Sequence, residues 1–505
     1  MRLSFVVIIV FFISSLGFCQ EIDKGDVVKD RQFLIDKGEL TAGDSQGNFV
    51  AIRPHMVNGS LRNYYVEFYE NLNYQERIEI TTKDGTDILK VFLFNGKCYV
   101  FQKEKAGKTM SLVLNGIDLK TKETSQNVIY SVNKDDNPYI FKALKNDYFI
   151  KLETASNIAL SFPVLENKTT YVMVSVFSKD IQPIKTFKII PDKSELFENI
   201  NFLNTQQAND KFYALFQLNN SATDNFYELI ETDGSKTHSL KIKIPDNSYE
   251  LINSRIKNNN LIISGIYSNV KKGGYRGFTH YRIDLNNLKV ISSKQSPFYN
   301  ENAEAYFSGF FKENRSIDIK DIFINDDLET YIIGQFYIKR RATLPIGLPI
   351  AAFSFSGFAG YITINPISSS YKVFDDILVG KIDKDGHLKW DSILRLRRTE
   401  KITSKSNKRD SSTFTFFANN EINILINALI DDKKGKLVVK QDRRPNKTNF
   451  YNITVNPHGG ITPNIIFPNA NSETIFRAEK AIKSENIIYI LGQGNMRKQL
   501  LKLKF

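Results

Sequence analysis

Eight times along the chain a polar, strand-length segment runs into a short turn of Asn, Asp or Gly and then into a nearly all-apolar segment. The turns and the starts of the apolar segments read Gly47-Asn48-Phe49-Val50, Asn95-Gly96-Lys97-Cys98-Tyr99, Asn146-Asp147-Tyr148-Phe149 and Asn209-Asp210-Lys211-Phe212-Tyr213 in the first half. In the second half they read Asn258-Asn259-Asn260-Leu261-Ile262, Leu328-Glu329-Thr330-Tyr331-Ile332, Asn419-Asn420-Glu421-Ile422 and Ser484-Glu485-Asn486-Ile487. A unit of roughly 50–60 residues repeated this often predicts a stacked or radial array.

A second hairpin follows each pair, as in Tyr281–Val290, Gly380–Trp390 and Tyr451–Ile461, whose turns are again rich in Asn, Asp and Gly. These residues tolerate the positive φ of tight hairpin turns. One unit is therefore four antiparallel strands, A to D. Strand B is apolar on both faces, as in Leu261-Ile262-Ile263, Ile422–Ile426 and Ile487–Leu491. A strand covered on both sides loses the alternation of a half-exposed one. Gly265, Gly334 and Gly492 recur near the end of strand B, where a glycine suggests close approach of another backbone.

Four-stranded antiparallel units set around a ring make a β-propeller. The fold class expected is all-β, a single β-propeller of eight blades. Seven blades follow if the weak first pair, Leu40 to Ile52, is miscounted, and two β-sandwich domains are the competing architecture. The last unit, Gln499–Phe505, supplies a strand C with no D after it, and Val27–Ile35 offers a spare strand to close the ring. Closure would remove the exposed sheet edges.

The sixth unit resembles the β-propeller repeats of secreted bacterial proteins. The residues that carry the likeness are Tyr331-Ile332-Ile333-Gly334, Asp376-Ile377-Leu378-Val379-Gly380-Lys381, Asp383-Lys384-Asp385-Gly386 and Trp390. The resemblance implies that Gly334 lies in strand B, that Asp376–Lys381 enters strand C and that Gly386 and Trp390 follow the C–D turn. It implies a fold and not an activity, because propellers host many unrelated functions.

The ends of the chain add a compartment. Met1-Arg2 precedes an apolar run from Phe5 to Leu16, the layout of a secretory signal peptide. The run is shorter than the roughly 20 residues a membrane-spanning helix needs. Cleavage after Cys19 leaves a propeller domain over 20–505, with lipid attachment at Cys19 as the alternative. Either places the chain outside the cytoplasm, secreted or in the cell envelope. Cys98 then has no cysteine partner in the domain and reads as a small core side chain.

Catalytic patterns do not emerge. The chain holds no His-Glu-x-x-His, Gly-x-Ser-x-Gly, phosphate loop or Cys/His cluster. No cofactor or metal is expected from its five separated histidines, and Asp383-Lys384-Asp385-Gly386 reads as a tight turn before it reads as a calcium loop. Acid pairs such as Asp326-Asp327 and Asp375-Asp376 leave open a carbohydrate-active enzyme with carboxylates at the mouth of the channel.

Charge is unevenly spread. Four segments of units 5 to 7, Ser268–Gly277, Lys339–Asp375, Arg397–Ser411 and Asp431–Lys447, carry essentially all of the chain's net +13. They are the B–C loops and one D–A connection, which share a face in a propeller. The insertion 339–375 also holds an uncharged stretch from Ala342 to Tyr371 that is rich in Pro, Gly and Phe. The residues expected to contact a partner are Lys271, Lys272, Arg276, Lys339, Arg340, Arg341, Phe353, Phe355, Phe358, Arg443 and Arg444. A clustered positive field attracts anionic partners. An anionic glycan, a lipid head group or an acidic protein surface is expected, with contact to a membrane surface through the apolar stretch and no nucleic acid. A structural component of a cell-envelope assembly is the third reading.

Overall fold

The computed structural model describes residues 21–505 apart from 30–39, 58–59, 84, 146–149, 155–156, 168, 193–198, 222–223, 247, 270–273, 300–314, 344–367, 399–401, 404–412, 434–435, 442–446, 470–471 and 495. For several strand ends, 338–343, 368–375, 397–398, 402–403, 431–433 and 436–441 among them, the backbone alone is described. The leader-like residues 1–19 and the expected contact residues Lys271, Lys272, Phe353, Phe355, Phe358, Arg443 and Arg444 therefore lie outside what is described.

The strands pair into eight antiparallel sheets, one per predicted unit. Blade 1 is Leu40–Gly43, Asn48–Val57, Ser60–Glu70 and Asn73–Thr81, so the weak first pair is a true blade. Blade 2 runs from Thr86 to Asn133, blade 3 from Lys151 to Ile189, blade 4 from Asn199 to Lys243 and blade 5 from Ser248 to Pro297. Blade 6 comprises Arg315–Ile324, Thr330–Thr343, Ser368–Ile382 and Leu388–Leu394, and blade 7 comprises Thr413–Ala418, Glu421–Lys433, Asn449–Val455 and Ile461–Pro468. The A strands of neighbouring blades touch, including those of blades 8 and 1, so they form the inner ring around the central channel. The chain is an eight-bladed β-propeller.

Closure occurs as expected in kind but through an earlier segment. Blade 8 takes Ile482–Ser484, Ile487–Gly494 and Arg497–Lys504 from the C-terminus, and Glu21–Lys24 as its outer strand. Of the expected strand Val27–Ile35, only Val28 and Lys29 are seen to pair, with Lys498 and Arg497. Two ion pairs match this register. The register sets Glu21 opposite Lys504 and Asp23 opposite Lys502, and both pairs close at 3.6 and 3.2 Å. Gly25 then packs against Leu72 of blade 1 while its backbone N–H donates to the Leu500 carbonyl of blade 8.

The third unit departs from expectation. Asn146–Phe149 is not among the described residues, and the A–B pair of blade 3 is Lys151–Thr154 with Ile158–Glu166. Ahead of it Pro138–Lys145 is a helix. Asn137 caps it, its side chain accepting from the Ile140 N–H at 2.9 Å, and Pro138 occupies the first turn, where no N–H is needed. Ile140 and Leu144, four apart, bury one face against blades 2 and 3.

The A–B turns follow the sequence closely. Asn95-Gly96, Asn209-Asp210, Asn258-Asn259 and Asn419-Asn420 all have both central residues at positive φ, the geometry that matches strand twist. Strand B is buried on both sides, as in Leu261, Ile262 and Ile263. The strand B glycines serve close contact, although only one meets backbone. A Cβ on Gly265 would lie 1.9 Å from the Leu251 carbonyl oxygen, whereas at Gly334 and Gly492 it would strike the side chains of Ile317 and Phe476.

A second glycine contact links blades. The C–D turn glycines Gly234, Gly386 and Gly459 (φ 94°, 90° and 84°) sit against Phe187, Lys294 and Trp390 in strand D of the preceding blade. Trp390 completes its contact by donating from Nε1 to the Pro457 carbonyl at 2.6 Å. The tryptophan that carried the family resemblance is thus an inter-blade latch.

Buried polar groups between blades are grouped with partners. Between blades 8 and 1, Glu67 accepts from Lys498 at 2.7 Å and pairs with Arg53 at 3.0 Å, all three deeply buried. Between blades 4 and 5, Glu250 accepts from the hydroxyls of Tyr227, Thr279 and Tyr281 and from Gln295 Nε2. Burial pushes both tyrosine hydroxyls well above their usual pKa.

Two outcomes follow. Gly25→Val would force a side chain into the Leu72 carbonyl, 2.1 Å from where a Cβ falls. It should lower unfolding free energy by about 1–3 kcal/mol in urea titrations, with faster amide exchange in Leu500–Lys504. His280 is fully buried in strand C of blade 5, and burial, followed by the nearby Arg282 charge, lowers its pKa to about 4. The unfolded chain then binds a proton between about pH 6.5 and 4 that the folded chain refuses, so stability falls as pH drops through that window. Going from pH 7 to 5 should cost about 2 kcal/mol through this group, and His280→Gln should remove that part of the slope.

Candidate functional site

Two features stand apart from the regular blades. The first is a set of strand extensions on the face where B–C and D–A segments emerge. Strands B and C of blade 6 are 14 and 15 residues long. Past an irregularity at Gln335/Tyr337 they continue as a hairpin from Tyr337 opposite Phe374 to Thr343 opposite Ser368. Lys339, Arg340 and Arg341 are therefore strand residues, which corrects the expectation of a loop beginning at Lys339. Strand formers on both arms (Tyr337-Ile338 and Tyr371-Lys372-Val373-Phe374) sustain pairing as far as Thr343 and Ser368.

Blade 7 does the same. Its strand B continues to Lys433 and turns back as Lys436–Gln441, with Lys433 opposite Lys436. The connection from blade 6 to blade 7 stitches the two extensions together. Its Leu396–Arg398 pairs in parallel with Val439–Gln441, and its Ile402–Thr403 pairs with Lys372 and Tyr371. Asp376, buried in strand C of blade 6, accepts from the Leu396 N–H at 2.6 Å and anchors the start of this connection. Three of the four basic segments read from the sequence thus meet in an accessory region, in which the blade 6 to blade 7 connection pairs with both strand extensions, one in each of two sheets.

The register of that region opposes like charges. Lys339 faces Lys372, Arg397 faces Lys440 and Lys433 faces Lys436. Like charges at directly opposed register positions are destabilising in general. Asp431 and Asp432, opposite Val438 and Leu437, stand near the last pair only. The fourth segment is not seen to join. Arg276 sits at a bulge where strand C of blade 5 begins, is half-buried, and gives its carbonyl to the Phe298 N–H.

The second feature is the channel wall. In the A strands of blades 2, 4 and 6 the register skips one residue, at Leu89, Leu203 and Lys320. Such a bulge re-aims the residues after it. Those residues are Lys90, Asn204 and Asp321, and each reaches the next or preceding blade. Lys90 donates to the Leu152 carbonyl at 2.8 Å, Asn204 to Ser254 Oγ at 3.1 Å, and Asp321 accepts from Arg255 at 2.6 Å. Lys151 donates to the Thr205 carbonyl and Lys483 to the Phe417 carbonyl, each at 2.9 Å. These bonds run blade to blade around the inner ring.

Where blades 5 to 8 meet the channel, one carboxylate lies with two cations. Burial raises the pKa of Asp321 against the pull of Arg255, and burial together with the Arg255 charge lowers that of Lys483. The acid pairs considered for hydrolysis do not converge. Asp326 is exposed on an A–B turn and pairs with Lys257 at 2.8 Å, while Asp376 is the buried anchor described above. Asp383 holds a tight turn, its Oδ1 accepting from the N–H groups of Asp385 and His387. Among the described residues no three His, Cys, Asp or Glu side chains gather as a metal site. Sequence reasoning found the basic segments by charge. It missed Arg255, Asp321 and Lys483, which lie at different register positions in the A strands of blades 5, 6 and 8.

No family model and no curated protein matches the chain. Solved structures similar to it include the polysaccharide lyase Uly1, at 8% identity over 82% of this chain and 89% of that one, with a TM-score of 0.41. Others are the WD40 domain of SCAP from fission yeast (8%, 96% and 94%, 0.38) and the β-propeller domain of the Trilobed protease from Pyrococcus furiosus (10%, 82% and 93%, 0.35). These likenesses are too distant to bear on ligand or reaction.

The like-charge register makes a stability statement. Lys372→Glu converts the Lys339 pair to an attractive one and should raise stability by about 0.2–1 kcal/mol, read as a higher midpoint in thermal unfolding.

Proposed function

We propose that the protein is a binding module that docks an anionic glycan through the accessory region of blades 6 and 7. The observation that supports this most is that one connection pairs with both strand extensions, which brings three separate basic segments together, with lysines and arginines opposite one another in the backbone register. A fold that needed only a hairpin there would gain from opposite charges at those positions. The cost of like charges at opposed positions is offset when a partner brings the counter-charge, and basic residues repeated along paired strands suit a polymer with repeating acidic groups. The leader-like segment at 1–19 supports a site of action in the cell envelope or outside the cell, where such glycans are exposed. The expected contacts Arg443 and Arg444 follow directly on Lys436–Gln441 in the chain, and the uncharged stretch with Phe353, Phe355 and Phe358 joins the two arms of the blade 6 hairpin.

The test is capture of the full chain on immobilised heparin, with neutral dextran as control. Replacing Lys339, Arg340 and Arg341 by Glu should weaken capture at least about tenfold and flatten its salt dependence. Undiminished capture by the triple variant, with the fold intact, sinks the glycan-docking reading. Capture of anionic vesicles or an acidic protein in preference to heparin would move the partner to those classes.

A further inference from the structure

The accessory region leaves the channel wall of blades 5 to 8 without a role, and the residues of that wall are contiguous. Arg255 in strand A of blade 5 pairs with Asp321 in blade 6 at 2.6 Å, and its guanidinium lies 5.6 Å from the Phe323 ring centroid. Phe323 stacks on Phe417 of blade 7, with centroids 6.0 Å apart and planes 20° from parallel. The Phe417 carbonyl accepts from Lys483 of blade 8, whose ammonium lies 5.6 Å from the Phe416 ring centroid. Four blades therefore contribute to one patch on the inner ring.

Elsewhere the wall is braced by neutral groups, Asn204, Gln206 and Ser254, or by one lysine at a time, Lys90 and Lys151, each donating to a backbone carbonyl. At blades 5 to 8 the wall instead gathers Arg255, Asp321 and Lys483, and burial, followed by the Arg255 charge, lowers the pKa of Lys483. The Arg255 side chain is 49% exposed, and Lys483 is exposed as well. A guanidinium has five N–H donors and an ammonium three, far more than the contacts above use. Asp321 engages Arg255 and the Ile322 N–H through Oδ1, which leaves Oδ2 able to accept. Phe323 and Phe417 are half-buried and offer an apolar wall beside these groups.

We propose that this patch is a binding site for a hydroxylated ring carboxylate of the uronic-acid class. Arg255 and Lys483 take the carboxylate by charge-assisted hydrogen bonds. The sugar ring lies against Phe323 and Phe417, and Asp321 Oδ2 accepts a ring hydroxyl. The two cations with one acid give the patch one net positive charge, which a monocarboxylate balances. This site is separate from the accessory region and stands whether or not that region docks a glycan.

The experiment is titration of the full chain with D-glucuronate, followed by NMR or calorimetry, alongside D-glucose and cyclohexanecarboxylate. Glucuronate should bind saturably and at least about tenfold more tightly than either control. Lys483→Gln should weaken glucuronate about tenfold in a chain that circular dichroism shows to be folded. The glutamate substitutions at Lys339, Arg340 and Arg341 should leave it unaltered. Absence of saturable glucuronate binding, equal binding of glucose, or indifference to Lys483→Gln overturns the site. Equal binding of cyclohexanecarboxylate overturns the sugar assignment.

Discussion

Everything in this molecule depends on one strand of four residues. Eight sheets that each bury both faces of strand B can be satisfied only by neighbours on both sides, so an open array would leave blade 1 and blade 8 uncovered. Glu21–Lys24 completes blade 8 from the far end of the chain. The A strands of blades 8 and 1 then meet, and Arg53, Glu67 and Lys498 come together across that boundary. A buried triad of this kind is strongly unfavourable if one member is removed and adds little over apolar packing when complete. Its contribution is therefore specificity of closure more than net stability.

The remaining boundaries use smaller devices. Glycines in the C–D turns let one blade's turn settle on the preceding blade's outer strand, most clearly at Gly459 and Trp390. The inner ring is braced at the other end of each sheet by bulged A strands that send Lys90, Asn204 and Asp321 across the gap. Outer latch and inner brace fix the angle between blades from both sides. That rigidity lets residues from blades 5, 6, 7 and 8 present a single patch to the channel.

Function is read where the architecture departs from the minimum a propeller needs. The extensions of blades 6 and 7 bury few of the ring's core residues, yet they are paired to one another through the connection between the blades. They set like charges in register, a local conflict that a purely structural hairpin would avoid. The patch at Arg255, Asp321 and Lys483 gathers two cations where other boundaries use neutral groups or a single lysine. Both proposals assign these places to anionic ligands.

The sequence by itself determined the number of blades, the A–B turns and the antiparallel four-strand unit, because these rest on local causes. Asn-Asp and Asn-Asn pairs take positive φ where they stand, and a strand buried on both faces must be apolar along its length. It failed at Pro138–Lys145, where the Asn137 cap and the spacing of Ile140 and Leu144 outweighed the repeat pattern. It also placed the closing strand too late: Glu21–Lys24 is the segment that pairs with Leu501–Lys504, at the other end of the chain. Clustering of basic residues was legible as composition, but the loops assigned to Lys339–Arg341 are strands joined to distant segments by backbone pairing. Only the tertiary structure brought Arg255, Asp321 and Lys483 together. Their contact depends on ring curvature and on a one-residue bulge at Lys320, and neither leaves a mark in the hydrophobic pattern.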